Sequence, residues 1–204
     1  IYLFFDSAKY ERILDAEAYR TLHEGPRDVP ASVPASAYNY VAPDLTDEIR
    51  SELAGLMGQP LISVIMPVYN TEAEWLRKAI ASVQAQWYPH WELCIVDDHS
   101  DSPDTLAVLA ELDDPRIRVR HLEENLNIAG ASNAALQMTW GEYVALLDHD
   151  DELTPEALYE VWKAIDRHGA EFVYSDEDKL DEAGRFCDPH FKPGFAPDMI
   201  LSQN

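Results

Sequence analysis

Basic side chains are scarce in this chain. Fifteen Lys and Arg stand against 38 Asp and Glu, a formal net charge of -23 over 204 residues. Nucleic-acid binding relies on clustered cations that neutralise phosphates and release counterions, so this balance excludes a nucleic-acid partner. Cysteine is scarcer still. Cys94 and Cys187 are far apart with no CxxC pairing, and Cys94 lies within an apolar run, where a small buried thiol is the ordinary reading. Neither reads as a disulfide, a zinc ligand or a nucleophile. No apolar stretch approaches the ~20 residues of a membrane span, and the opening Ile1-Tyr2-Leu3-Phe4-Phe5 is too short for a signal-peptide core. A cytoplasmic protein is expected, free or peripheral at the inner face of the plasma membrane. There is no internal repeat and no low-complexity tract, and the chain opens on Ile1 instead of Met, which reads as a piece of a longer parent with further domains.

What is present suffices for a core, since apolar residues make up 47% of the chain. Residues 1–58 read as an N-terminal helical segment and linker. A short helix over 10–22 is followed by Gly25-Pro26, Pro30 and Pro34, and a second helix over 47–57 has Thr46 as its cap and Leu45, Ile49, Leu53 and Leu56 on one face. Residues 59–204 read as the main domain. A β-branched run over 61–66 precedes a helix over 72–86 with Trp75, Leu76, Ala79, Ile80 and Val83 at helical spacing. Strands over 91–96, 117–122, 143–147 and 172–174 alternate with helices near 104–112, 131–138 and 155–168. The last helix carries Thr154 as its cap, Pro155 at its first position and a buried stripe of Leu158, Val161, Trp162 and Ile165. Continuous apolar strands alternating with helices predict an α/β fold, a mostly parallel, Rossmann-like sheet with helices on both faces. Ligands of such sheets bind beyond the carboxyl ends of the strands.

Acids gather at those ends. Asp97-Asp98-His99-Ser100-Asp101 follows one strand, Asp148-His149-Asp150-Asp151-Glu152 another, and Asp176-Glu177-Asp178 a third. Any one cluster is more often a helix cap or a solvated loop. Three on one rim would repel one another, which points to a cation that compensates them. Asp148 and Asp150 flank a single residue, and in extended backbone residues two apart share a face, which brings both carboxylates to one Mg²⁺ or Mn²⁺. His149 between them points away or reaches a ligand at the turn, and a lone histidine there is more often structural.

Four segments, Ser63 through Pro67-Val68-Tyr69-Asn70, Val96-Asp97-Asp98-His99-Ser100, Asn127-Ile128-Ala129-Gly130-Ala131-Ser132-Asn133 and Leu147-Asp148-His149-Asp150-Asp151, resemble in order and spacing the signatures of family 2 glycosyltransferases. The stretch from Tyr174-Ser175-Asp176-Glu177-Asp178-Lys179 through Phe191-Lys192-Pro193 to Asn204 is similar to the bacterial branch that builds O-antigens and other surface polysaccharides, including rhamnosyltransferases. The resemblance implies a GT-A fold and transfer of a sugar, with inversion, from a UDP- or dTDP-linked donor to a glycan or lipid-linked acceptor. It further implies that Pro67, Val68 and Tyr69 line the nucleobase pocket, with Tyr69 stacking and Asn70 beside them. Asp98 would accept from the pyrimidine imide, Asp148 and His149 would face the donor, and Asp148 and Asp150 would hold the metal; Asn127 to Asn133 would flank the donor or, as readily, form a Gly-containing turn with Asn133 as a helix cap.

The family's catalytic base lies in an acidic motif well downstream of the Asp-x-Asp pair, and no equivalent is read before Asn204. The base is left unassigned, with Asp176 and Glu177 as substitutes and rim acids as their simpler reading. The alternative for the chain is a non-catalytic nucleotide-sugar-binding module of a larger synthase. A phosphoacceptor receiver would place its acidic pair after the first strand, and a sugar nucleotidylyltransferase would open on a Gly-rich, Arg-containing loop; neither pattern is present.

Overall fold

The computed structural model describes residues 3–4, 40–56, 58–181 and 183–192. The helix expected over 10–22 and the Pro-rich linker lie outside them. Backbone contacts divide the chain into two compact units, residues 1–6 with 42–174, and residues 7–41 with 175–204.

The first unit is built on a five-stranded sheet. Its strands are β1 (Leu3–Phe4), β2 (Ile62–Val68), β3 (Trp91–Asp97), β4 (Ile117–His121) and β5 (Tyr143–Leu146), in the order β1-β5-β2-β3-β4. β5, β2, β3 and β4 are parallel, and β1 closes one edge antiparallel to β5. The intervening helices are α1 (Asp47–Ala54), α2 (Ala73–Gln84), α3 (Pro103–Ala110), α4 (Asn127–Leu136) and α5 (Ala157–His168). Strand alternation sorts the side chains onto two faces. Ile62, Val64, Met66 and Val68 of β2, with Trp91, Leu93 and Ile95 of β3, join the buried side chains of α2, α3 and α5 in the larger cluster. Ile65, Cys94, Val96 and Val144 meet Ala131, Ala134 and Ala135 of α4 on the other face. The small alanines let α4 approach the sheet closely. The expected α/β class with both faces covered is what forms.

Several element limits differ from expectation for local reasons. α4 starts at Asn127, four residues early, because Asn127 enters from a left-handed backbone (φ 60°) and Gly130 lies inside the helix, not in a turn. α5 starts at Ala157, and Thr154 does not cap it with its side chain. Gln86, at the end of α2, does that work: its Oε1 accepts from Leu158 N at 2.9 Å while its Nε2 donates to Thr154 O at 2.8 Å. Thr46 caps α1 as predicted, accepting from Ile49 N, but Gly55 ends that helix early. Trp75, at helical spacing with the buried residues of α2, lies exposed, with the Lys78 ammonium 4.5 Å from its ring centroid. Residues 172–174 form no strand.

At the amino ends of the strands a polar cluster is closed off inside the fold. Glu92 Oε1 accepts from Ser63 Oγ at 2.6 Å, Trp140 N at 2.6 Å and Gly141 N at 3.2 Å, and Oε2 pairs with Arg118 at 2.6 Å. Arg118 also donates to Met138 O and lies 3.7 Å from the Trp140 ring centroid. Burial pushes the Glu92 carboxyl up, but the bonds from Ser63, Trp140 and Arg118 outweigh it and hold it below the usual carboxylate range. Gly141 has no space for a side chain, since a Cβ there would meet Leu61 O and Ser63 Oγ at 2.5 Å each. Cys94, buried beside this cluster, has its thiol pushed up to about 11 by burial, which suits a core position and not a nucleophile.

The second unit contains an antiparallel hairpin of β6 (Glu177–Leu180) and β7 (Phe186–His190). Its turn is held by Asp181, which accepts from Arg185 and Ala183 amides, with Gly184 at φ 70°. Tyr40 packs edge-on against Phe186 in the same unit, ring centroids 4.8 Å apart.

Candidate functional site

The carboxyl ends of β2, β3 and β4 lie in register, with Val68 opposite Asp97 and Asp97 opposite His121. Three loops therefore leave the sheet side by side, and each bears a non-glycine residue in the left-handed region: Asn70 (φ 48°), His99 (φ 65°) and Asn127 (φ 60°). Such backbone is uncommon outside glycine and persists where surrounding bonds hold it.

Two buried acids tie these loops to one another. Asp98 donates its N–H to Val68 O at 2.8 Å, and its Oδ1 accepts from Leu126 N at 2.7 Å, which seats the start of α4 beside it. Asn125 Nδ2 donates to Asp98 O at 3.1 Å. Asp98 is 3% exposed, and its Oδ2 carries no hydrogen bond among the described residues. Asp97, behind it, pairs through Oδ2 with His121 Nδ1 at 2.9 Å and accepts from Ser100 N at 3.2 Å through Oδ1. Asp97 is thus a scaffold carboxylate and Asp98 the one with an uncommitted oxygen.

The predicted donor-site residues take distinct places. Tyr69 is 48% exposed at the end of β2, its ring open on the loop bonded to Asp98. Pro67 is half-buried within β2, while Val68 packs into the core, so its side chain does not line a pocket and only its carbonyl reaches the edge. Asn70 turns its amide toward the β3–α3 loop. Asn127 receives a cap from Asn125 Oδ1 at 3.0 Å, and Asn133 is exposed in the second turn of α4, where it caps nothing. Leu126 and Ile128 are exposed apolar neighbours of this helix start.

Asp148 and Asp150 follow β5 at the same end of the parallel sheet, but not as extended backbone. Asp151 N donates to Asp148 O at 3.2 Å, so the pair occupies a tight turn and the shared-face argument for extended chain does not apply. Both carboxylates are exposed, and the polar side-chain contact of the pair among the described residues is the approach of Asp150 to His149. His149 Nδ1 is buried without a hydrogen-bond partner, 3.8 Å from Asp150 Oδ1. Among the described residues no group of three or more His, Cys, Asp or Glu side chains is gathered to hold a metal. Two carboxylates with free lone pairs fit a hard divalent cation that takes its remaining oxygens from water and a ligand's phosphates.

The third acidic cluster belongs to the other unit. Asp176 Oδ1 accepts from Lys192 N at 2.7 Å, and Glu177 Oε2 pairs with Lys192 Nζ at 2.8 Å. The bond from Lys192 holds the Glu177 carboxyl below its ordinary value, which makes it a weak proton acceptor near neutral pH.

A mostly parallel α/β sheet of this kind keeps its open, polar positions at the carboxyl ends of its strands, where such folds bind their ligands. Residues 63–193 match Glycosyl transferase family 2, and the chain belongs to that family, with the GT-A-type arrangement implied by its motifs. It is 47% identical over 166 residues to the uncharacterized protein y4gI of Sinorhizobium fredii, covering 76% of this chain and 18% of that protein. It is 34% identical over 187 residues to the O-antigen biosynthesis protein RfbC of Myxococcus xanthus, covering 87% of this chain and 15% of that protein. A third relative is the UDP-Glc:alpha-D-GlcNAc-diphosphoundecaprenol beta-1,3-glucosyltransferase WfgD of Escherichia coli, 33% identical over 136 residues, 65% of this chain and 53% of that protein. The chain spans less than a fifth of the length of the first two relatives and about half of the third. Among the described residues no helix is long and apolar enough to cross a membrane.

Proposed function

We propose that the chain is the donor-binding part of a glycosyltransferase that moves a sugar, with inversion, from a UDP- or dTDP-linked donor to a glycan or lipid-linked acceptor in bacterial surface-polysaccharide synthesis. The observation that carries this reading is the pairing of an exposed Tyr69 ring with a buried Asp98 carboxylate whose Oδ2 is uncommitted, on adjoining loops at the ligand edge of a family member's sheet. A pyrimidine offers a π-face to the ring and an imide N–H to the carboxylate, and that combination selects a uracil or thymine base. The relative WfgD, a glucosyltransferase named for a UDP-Glc donor, supports a UDP-linked donor. The similarity of 174–204 to rhamnosyltransferases is the reason to include dTDP-linked donors.

Asp148 and Asp150 would hold Mn²⁺ or Mg²⁺, which would supply charge neutralisation for the diphosphate. The chain's own contribution is to seat the nucleoside, orient the diphosphate at the β5 turn and leave the anomeric carbon facing the acceptor. Displacement at that carbon breaks its bond to the diphosphate oxygen and forms one to the acceptor oxygen, whose proton passes to a base not assigned among the described residues.

The test is isothermal titration of the chain with UDP, dTDP and GDP, each with Mn²⁺ and with chelator. Binding of the pyrimidine nucleotides in preference to GDP is expected. Equal binding of all three, or none, rejects the donor class.

A further inference from the structure

Polar groups form an unbroken chain across the ends of the three strands whose loops carry Tyr69 and Asp98. Asn70 N donates to Ser100 Oγ at 2.9 Å; Ser100 N donates to Asp97 Oδ1 at 3.2 Å; Asp97 Oδ2 holds His121 Nδ1 at 2.9 Å. The Asn70 side chain adds three bonds to the same loop. Its Nδ2 donates to Asp101 Oδ1 at 2.8 Å, and its Oδ1 accepts from Asp101 N and Ser102 N, each at 3.0 Å. Strand alternation puts Val68, Asp97 and His121 on the face packed by α2 and α3. Tyr69 and Asp98 are the first residues beyond those strands.

Resting on the nucleotide reading above, we propose that Asn70 is a positioning residue and not a donor contact: it latches the loop after β2 to the loop after β3, and so fixes the Tyr69 ring against the Asp98 carboxylate. Three observations support this assignment. Both polar atoms of the Asn70 amide are engaged within the protein, so little is left for a ligand. Its backbone is left-handed, a conformation that asparagine tolerates and that these bonds hold in place. The latch spans about 30 residues of sequence between the two strands that carry the clamp, so it acts on their relative placement and not on one loop's internal shape. Correctly oriented groups bind because the ordering entropy has been met beforehand, and a loosened clamp loses that advantage without losing a contact.

The test is a double-mutant cycle on UDP affinity, measured by titration calorimetry on the whole chain with Mn²⁺ present. Asn70→Ala is expected to weaken UDP binding about tenfold, a loss of about 1.4 kcal/mol. In a Tyr69→Ala background the same change is expected to cost less than about twofold, because the ring it positions is gone. Ser100→Ala, which removes the acceptor for Asn70 N, should reproduce the coupling at smaller size. Asn70→Gly keeps the left-handed backbone while removing the amide, and serves if Asn70→Ala fails to fold. Equal losses with and without Tyr69 overturn the positioning role, as does unchanged affinity in the folded Asn70→Gly variant. Failure of the unmutated chain to bind UDP is a different result, and it removes the nucleotide reading together with this inference.

Discussion

The two ends of the sheet treat their polar groups in opposite ways. At the amino ends, Glu92, Ser63, Arg118 and the Trp140 and Gly141 amides satisfy one another, and Glu92 is 4% exposed. At the carboxyl ends, Asp98 keeps a carboxylate oxygen free, Asp148 and Asp150 stand exposed, and His149 Nδ1 is buried without a hydrogen bond. Three left-handed residues, Asn70, His99 and Asn127, lie at this second end only. A closed network lowers the free energy of the fold, whereas an open one raises it and is retained where a ligand completes it. The same contrast separates positions where substitution should unfold the chain from those where it should only empty the site.

The largest effect is expected at the closed end. Glu92→Gln leaves Arg118 without its partner and should destabilise the fold by about 3 kcal/mol, read from urea unfolding. UDP affinity of the folded fraction should be unchanged; if affinity falls while stability holds, the division between the two ends is wrong. The pH dependence follows from the depressed Glu92 carboxyl. Its stabilisation is fully present above the usual carboxylate pKa and is lost as pH falls through the lower folded value, so the stability gap to Glu92→Gln should narrow in acid.

At the open end, Asp98→Asn should weaken UDP binding by about 1–3 kcal/mol with the fold intact, since the Leu126 N–H still finds an oxygen. Unfolding of this variant would move Asp98 into the structural group. Replacing Mn²⁺ with chelator should cost about tenfold in UDP affinity, because the diphosphate then meets Asp148 and Asp150 unscreened. Calorimetry showing the same affinity in both conditions would remove the metal from the reading. The smallest effect returns to the closed end. Trp140 is 75% exposed, and its ring covers Arg118, so Trp140→Ala should cost about 0.5–1 kcal/mol of stability and nothing in binding.

Much of this contrast was legible in the sequence, and the illegible part has a common cause. Three strands of the parallel sheet announce themselves as apolar runs, and Asp98, Asp148 and Asp150 are visible because they lie in the acidic clusters that follow such runs. Tyr69 was marked by its motif. What local pattern does not reveal is bonding between segments 24 to 72 residues apart: Asp97 with His121, Asn70 with Ser100, and Gln86 with Leu158. The start of α5 differs for that reason, since its cap comes from Gln86, just past the end of α2. The start of α4 was misplaced because glycine and a left-handed asparagine ordinarily signal a turn. The strand expected over 172–174 failed because three aromatic or β-branched residues in a row are too little pattern to separate a strand from a connection.

Gly141 shows how this architecture would read in a survey of tolerated substitutions. Its amide is shared between Ser63 Oγ and Glu92 Oε1, and even a methyl group would collide with the Leu61 carbonyl. Nearly every replacement should therefore be depleted at this position, as strongly as at a residue that touches substrate. Yet Gly141 precedes β5, and the candidate metal turn follows that strand at its opposite end. Mutational intolerance here would measure the room beside one backbone atom, and a map of function drawn from intolerance alone would mark the wrong pole of the molecule.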